Sequence, residues 1–262
     1  MQENKFKIVQ SKKTRYILPN ILTLAGVCLG ISSIKYSLDL NFKMAVIFIL
    51  SAAILDALDG RIARLIKGTS DFGKELDSLT DFVSFGIAPA FIIYFWELNK
   101  YGKIGWAITL IYSVCCVLRL ARFNLTSYNQ DEIWKQNYFE GVPSPIGALL
   151  ILSPLTLELS NISLINSVNY FVPIFTSIIA LLLISKVPTY SFKNIKIKPT
   201  FTVFILLAIG ISLITLIFFT FETLIVFTSL YILSIPIACY TYIKNKKSLN
   251  TNNSEEEHED VL

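Results

Sequence analysis

Charge is what this sequence has least of. Only 16% of its 262 residues are Asp, Glu, Lys or Arg, where a soluble domain of this size carries about 25%. A surface wetted on all sides is therefore excluded. Hydrophobic residues make up 53% of the chain, and its mean hydropathy is +0.59. Cysteine is sparse too: Cys28, Cys115, Cys116 and Cys239 all lie inside apolar runs. There they suit small apolar packing residues and indicate neither a disulfide framework nor a metal knuckle. Histidine occurs once, as His258 in an acidic tail. The sequence has no Gly-x-Ser-x-Gly nucleophile elbow, no P-loop and no obvious internal repeat, so those routes to catalysis are closed.

What is present is a series of apolar runs of about twenty residues, the helix length that crosses a ~30 Å hydrocarbon core. Eight candidate spans cover roughly 17–35, 43–65, 76–97, 103–123, 144–160, 168–186, 200–220 and 223–242. The expected fold is all-α, a polytopic transmembrane helical bundle. The first run lacks a small-residue cleavage signal and is expected to be retained as a helix.

Basic residues are distributed unevenly between the connections. Lys5, Lys7, Lys12, Lys13 and Arg15 precede the first span; Lys67 and Lys74 follow the second, with Arg61 and Arg64 just inside it. Arg119, Arg122 and Lys135 mark the fourth connection, Lys186, Lys193, Lys196 and Lys198 the sixth, and Lys244, Lys246 and Lys247 the end of the eighth. The remaining connections carry fewer bases. By the positive-inside rule both termini and the even-numbered connections are expected in the cytoplasm. The organisation is then a basic N-terminus (1–16), a membrane domain (17–242) and a polar, acidic tail (243–262) expected to be disordered. Within the membrane domain a core at about 17–186 precedes two further helices at 200–242.

Ionisable residues inside or bordering spans are costly and therefore candidates for function. Here they gather at one place. Leu55-Asp56-Ala57-Leu58-Asp59-Gly60-Arg61-Ile62-Ala63-Arg64 ends the second span, and Gly73-Lys74-Glu75-Leu76-Asp77-Ser78-Leu79-Thr80-Asp81 begins the third. Asp56, Asp59 and Ala63 share one helix face with Arg64 beside it; Gly73, Asp77 and Asp81 share another. A short turn at Lys67-Gly68-Thr69-Ser70 would fold the two carboxylate faces together. Four carboxylates so close repel unless cations lie between them. With only oxygen ligands on offer, Mg²⁺, Mn²⁺ or Ca²⁺ is favoured over zinc. A two-metal carboxylate site suits attack on a phosphate ester or anhydride. Gly60, Ala63 and Gly73 would let a nucleotide diphosphate approach the helix backbones.

The string Asp-x2-Asp-Gly-x2-Ala-Arg-x8-Gly-x3-Asp-x3-Asp resembles the signature of the CDP-alcohol phosphatidyltransferases, with all eight fixed positions filled. At about 5–7% per position a chance match is roughly one in 10⁸. The likeness extends to the opening Leu18-Pro19-Asn20-Ile21-Leu22-Thr23. Asp77 to Ala90, Leu118-Arg119-Leu120-Ala121-Arg122-Phe123-Asn124 and Gly141-Val142-Pro143-Ser144-Pro145 resemble the serine-using bacterial membrane members of the family. The recognisable part runs from about 16 to 155.

This resemblance implies transfer of a phosphatidyl group from CDP-diacylglycerol to L-serine with release of CMP, in the bacterial inner membrane, by a six-helix core. It implies Asp56, Asp59 and Asp77 as main metal ligands, two ions, and Asp81 as a further ligand and the base for the acceptor hydroxyl. Gly60, Ala63, Arg64 and Gly73 would hold the CDP moiety. A homodimer is the family expectation, and no nucleic-acid partner is expected. The absence of any histidine outside the tail agrees with direct displacement rather than a covalent histidine intermediate. Arg119 and Arg122 are either snorkelling anchors or an anion clamp for a phosphate or the serine carboxylate, with Arg122 the better candidate for the carboxylate although the two could exchange roles. Asn124 and Ser144 are candidates for the acceptor pocket, while Ser78 and Ser84 equally suit helix packing. Glu158 and Glu222 are expected at the opposite interface. Other acceptors (glycerol 3-phosphate, an inositol phosphate or choline) fit the same signature. A cation or proton transporter would instead place its carboxylates near the bilayer midplane.

Overall fold

The computed structural model describes residues 14–66, 70–126, 138–160, 171–190 and 202–259. Each of the eight expected spans is a helix. They are α1 (Thr14–Leu38), α2 (Phe42–Leu65), α3 (Asp71–Asp81) continuing into α4 (Ala88–Trp96), α5 (Gly102–Thr126), α6 (Ser144–Leu159), α7 (Phe171–Ile184), α8 (Thr202–Phe218) and α9 (Thr220–Glu259). The segments 17–38, 71–96, 98–125 and 220–243 are long and apolar enough to cross a membrane, and α6, α7 and α8 are shorter apolar helices. The protein is a helical membrane bundle. Among the described residues one pair of short strands interrupts the helices: β1 (Tyr138–Glu140) runs antiparallel to β2 (Pro188–Tyr190), with Phe139 opposite Thr189.

Local chemistry sets the helix ends. Asn41 caps α2 by accepting from the Met44 N–H at 3.2 Å. Ser70 caps α3 by accepting from the Gly73 N–H at 3.0 Å, which satisfies one of the amides a helix start leaves unpaired. That cap starts the third span at 71 rather than 76, adding a polar turn before its apolar part. Of the expected turn at 67–70, Lys67, Gly68 and Thr69 lie outside the described residues, as do Lys135, Lys193, Lys196, Lys198 and residues 1–13.

Between α3 and α4 the helix widens into a π-turn over Phe82–Ile87. Two α5 hydroxyls meet the carbonyls there: Tyr112 donates to Phe85 O at 3.1 Å and Ser113 to Gly86 O at 3.4 Å. Against the same turn α1 approaches closely. Ser84 donates to Gly26 O at 3.2 Å, and a Cβ on Gly30 would stand 2.7 Å from Ser84 Oγ. Ser84 is thus a helix-packing residue. Gly141, at φ +75°, turns the chain from β1 into α6 where a Cβ would meet the Ser185 and Leu183 carbonyls at 2.8 and 2.9 Å; only glycine adopts that backbone cheaply.

The buried core runs through α2 (Ala45, Val46, Ile49), α4 (Ile92, Ile93), α5 (Tyr112, Cys116), α6 (Leu150, Ile151, Leu155) and α7 (Ile179, Leu183). In α8 apolar Val203, Phe204, Leu206, Ile217 and Phe218 are exposed instead, as befits a lipid-facing helix. All four cysteines are free thiols. The Trp96 indole donates to Glu158 at 3.0 Å, an arrangement common at a membrane interface.

Candidate functional site

The end of α2, the start of α3 and the first turns of α1 enclose the site. α2 delivers Asp56 and Asp59 one turn apart, and α3 delivers Asp77. One carboxylate oxygen from each lies within 4.8 Å of the other two. Asp81, one turn further along α3, stands within hydrogen-bonding reach of Asp56. Its Oδ1 is buried with no hydrogen-bond partner among the described residues. The two carboxylate faces expected from helical spacing therefore do meet.

Asp59 is 4% exposed and is held from a third helix: Thr23 on α1 donates to its Oδ2 at 2.7 Å and also to Pro19 O at 3.0 Å. Among the described residues no lysine or arginine forms an ion pair with Asp56, Asp59 or Asp77. Two ionised carboxylates within 4.8 Å repel by about 3 kcal/mol or more at an effective dielectric of about 20. Three such pairs, an all-oxygen donor set and an unpartnered buried carboxylate oxygen fit divalent cations.

Beside this cluster opens a cavity of about 230 Å³. Asp59 and Asp77 line it together with Gly60, Ala63, Arg64 and Gly73, the four residues expected near a CDP moiety. Arg64 donates from Nε to Gly60 O at 3.0 Å, which lays the guanidinium along its own helix. Lys74, paired with Asp71 at 3.4 Å, adds a second cation. Pro19, Asn20, Thr23 and Ser70 complete the wall. Asn20 and Thr23 lie in the stretch that the family resemblance covered without assigning a role. Nothing in a single sequence pairs Thr23 with Asp59, 36 residues away.

The two arginines of α5 diverge. Arg119 is 9% exposed, donates from Nη1 to Ser144 Oγ, lies 5.9 Å from the Phe123 ring centroid, and interacts electrostatically with Asp81. Snorkelling to the surface does not describe it. Arg122 donates from Nη2 to Ile184 O at the end of α7, where helix carbonyls lack intrahelical donors. Neither arginine lines the cavity beside the carboxylates. Asn124 donates to Ser78 Oγ at 3.0 Å, tying α5 to α3 next to Asp77.

The comparisons with known proteins agree with this geometry. The family model for CDP-alcohol phosphatidyltransferase matches residues 16–179, from the first helix into α7. The CDP-diacylglycerol–serine O-phosphatidyltransferase of Mycobacterium leprae is 36% identical over 227 residues, 86% of this chain and 75% of the relative. Its namesake in Helicobacter pylori is 35% identical over 218 residues, 83% of this chain and 89% of the relative. That of Methanocaldococcus jannaschii is 38% identical over 156 residues, 60% of this chain and 68% of the relative. The likeness thus reaches beyond the segment 16–155 legible by eye. With the family match running from α1 into α7, and the aspartates of its signature brought together on two of those helices, the chain belongs to the CDP-alcohol phosphatidyltransferase family.

Proposed function

We propose that the protein transfers the phosphatidyl group of CDP-diacylglycerol to L-serine, giving phosphatidylserine and CMP. The observation that carries this reading is the convergence of Asp56, Asp59 and Asp77 beside a cavity lined by Gly60, Ala63, Arg64 and Gly73. The names of the relatives from Mycobacterium leprae and Helicobacter pylori favour serine over the other acceptors.

Asp56, Asp59, Asp77 and Asp81 would hold two divalent ions, Mg²⁺ or Mn²⁺, with Ca²⁺ an alternative at one position. Bound ions of this kind neutralise phosphate oxygens and lower the cost of charge on a departing nucleotide. The protein's own groups do the rest. Gly60 and Gly73 keep the cavity walls low, so the CDP backbone comes close to α2 and α3, while Arg64 and Lys74 meet its negative charge. Asp81 accepts the proton of the serine hydroxyl. The hydroxyl oxygen bonds to the lipid-side phosphorus, the bond from that phosphorus to the CMP oxygen breaks, and CMP leaves with the electron pair. Arg119, buried and facing Asp81, holds the serine carboxylate; Arg122 secures the α5–α7 contact.

In this reading both termini and the site face the cytoplasm, as the basic connections indicate. The enzyme works as a homodimer in the bacterial inner membrane. The test is incorporation of labelled L-serine into chloroform-soluble lipid by purified protein with CDP-diacylglycerol, with and without Mn²⁺. Glycerol 3-phosphate as a rival acceptor and Asp81→Asn run in parallel. Metal-dependent product from serine, reduced at least a hundredfold in Asp81→Asn as expected for loss of a general base (about 10²–10⁴), supports the proposal. Product from the rival acceptor alone would overturn serine and keep the site.

A further inference from the structure

Three of the buried polar atoms that complete no hydrogen bond among the described residues belong to Arg119 and to two side chains that each interact with it. They are Asp81 Oδ1, Arg119 Nε and the Tyr231 hydroxyl. Arg119 interacts electrostatically with both Asp81 and Tyr231. A buried donor or acceptor without a partner costs about 1–3 kcal/mol, so three together mark a place kept for a polar ligand. The groups divide by chemistry. Arg119 Nε can only donate, and its guanidinium plane is already set by the bond from Nη1 to Ser144. The tyrosine hydroxyl can donate as well, whereas an ionised Asp81 only accepts. Two donors and one acceptor complement a molecule with a carboxylate at one end and a hydroxyl or ammonium group at the other.

Tyr231 comes from α9, outside the 16–179 segment that matches the family model. Its position is nevertheless built. β2 brings Thr189, 2% exposed, close enough to interact with the Tyr231 hydroxyl, and Thr189 is itself fixed by donating to Gly141 O at 2.9 Å. Gly141 directly precedes the Val142-Pro143-Ser144 turn that supplies the Arg119 partner. One of the two helices beyond the matched core is thereby tied through the strand pair to the same arginine.

We infer that Tyr231 is a specificity-determining residue of the acceptor pocket: its hydroxyl donates to the acceptor's carboxylate while Arg119 neutralises that group's charge. This inference rests on the serine reading above. It assigns to α9 the selection of an amino acid over an acceptor without a carboxylate.

The test compares full-length wild type with Tyr231→Phe in detergent, following CMP release while L-serine and CDP-diacylglycerol are varied separately. Ethanolamine serves as the carboxylate-free acceptor. Losing one hydrogen bond to a charged group should raise KM for L-serine about tenfold or more. KM for CDP-diacylglycerol and kcat should stay within about twofold, and preference for serine over ethanolamine should shrink by the same factor as serine affinity. Wild-type stabilisation by L-serine in a thermal melt should be lost in the variant, with the melting temperature of the ligand-free protein preserved. An unchanged KM for serine, or equal losses toward both substrates, overturns the role of Tyr231 and leaves serine transfer standing. A wild type that releases CMP with ethanolamine as readily as with serine overturns both.

Discussion

Replacing Thr23 with valine keeps the volume of the side chain and removes one hydroxyl, the one that donates to Asp59 Oδ2 at 2.7 Å. Thr23 and Asp59 are 6% and 4% exposed, so water is poorly placed to substitute for the lost bond. A hydrogen bond to a charged group contributes about 1.5–3 kcal/mol. On the proposed reading, in which Asp59 ligates metal, that energy orients the carboxylate, and removal of an outer partner of this kind typically lowers metal affinity about 10–100-fold. The assay is a Mn²⁺ titration of metal-free protein, read both as CMP release and as direct Mn²⁺ binding. The expected result for Thr23→Val is a half-saturating Mn²⁺ concentration about tenfold higher or more, with kcat at saturating metal nearly unchanged. Thr23→Ser, which retains the hydroxyl, should stay close to wild type. Wild-type Mn²⁺ affinity in a stably folded Thr23→Val protein would refute the idea that α1 sets the orientation of Asp59.

Gly73→Ala places a Cβ 3.1 Å from Ser70 Oγ and 3.2 Å from Asn20 Oδ1. It should therefore raise KM for CDP-diacylglycerol several-fold and leave KM for L-serine alone, as initial rates would report. Gly30→Ala drives a Cβ to 2.7 Å from Ser84 Oγ and 2.9 Å from its Cα, which cannot swing aside. The expected cost is about 1–3 kcal/mol, typical of overpacking, read as a lower Tm in detergent. Gly210→Ala in α8, with nothing among the described residues packed within 4 Å of the added Cβ, should not lower it.

Much of the site was legible because its chemistry is local. Asp56 and Asp59 are one turn apart, as are Gly73, Asp77 and Asp81, and a period of 3.6 residues places each set on a face without reference to anything distant. Eight spans were legible because hydrocarbon demands long apolar segments with internally satisfied backbones. The start of α3 at Asp71 was not, since the apolar run begins only at Leu76 while the Ser70 cap extends the helix in the polar direction. The arginines show the same limit. Arg119 and Arg122, three apart, share a side of α5, yet one faces Asp81 and Ser144 and the other the end of α7. Their spacing could not tell which neighbour each would find.

By itself the sequence determined a helical membrane protein, the facing rows of carboxylates, and membership of a family of phosphatidyl-group transferases. The first two follow from composition and short-range periodicity, which act within a few turns of helix; the third rests on the likeness of the Asp56–Asp81 string to the signature of that family. The tertiary structure alone decided that Thr23 of α1 holds Asp59 and that Asn20 and Ser70 shape the cavity. It also decided that Tyr231 of α9 reaches the surroundings of Arg119. Those contacts join residues far apart in the chain, and they form only when helix packing brings one particular face of each helix against the next.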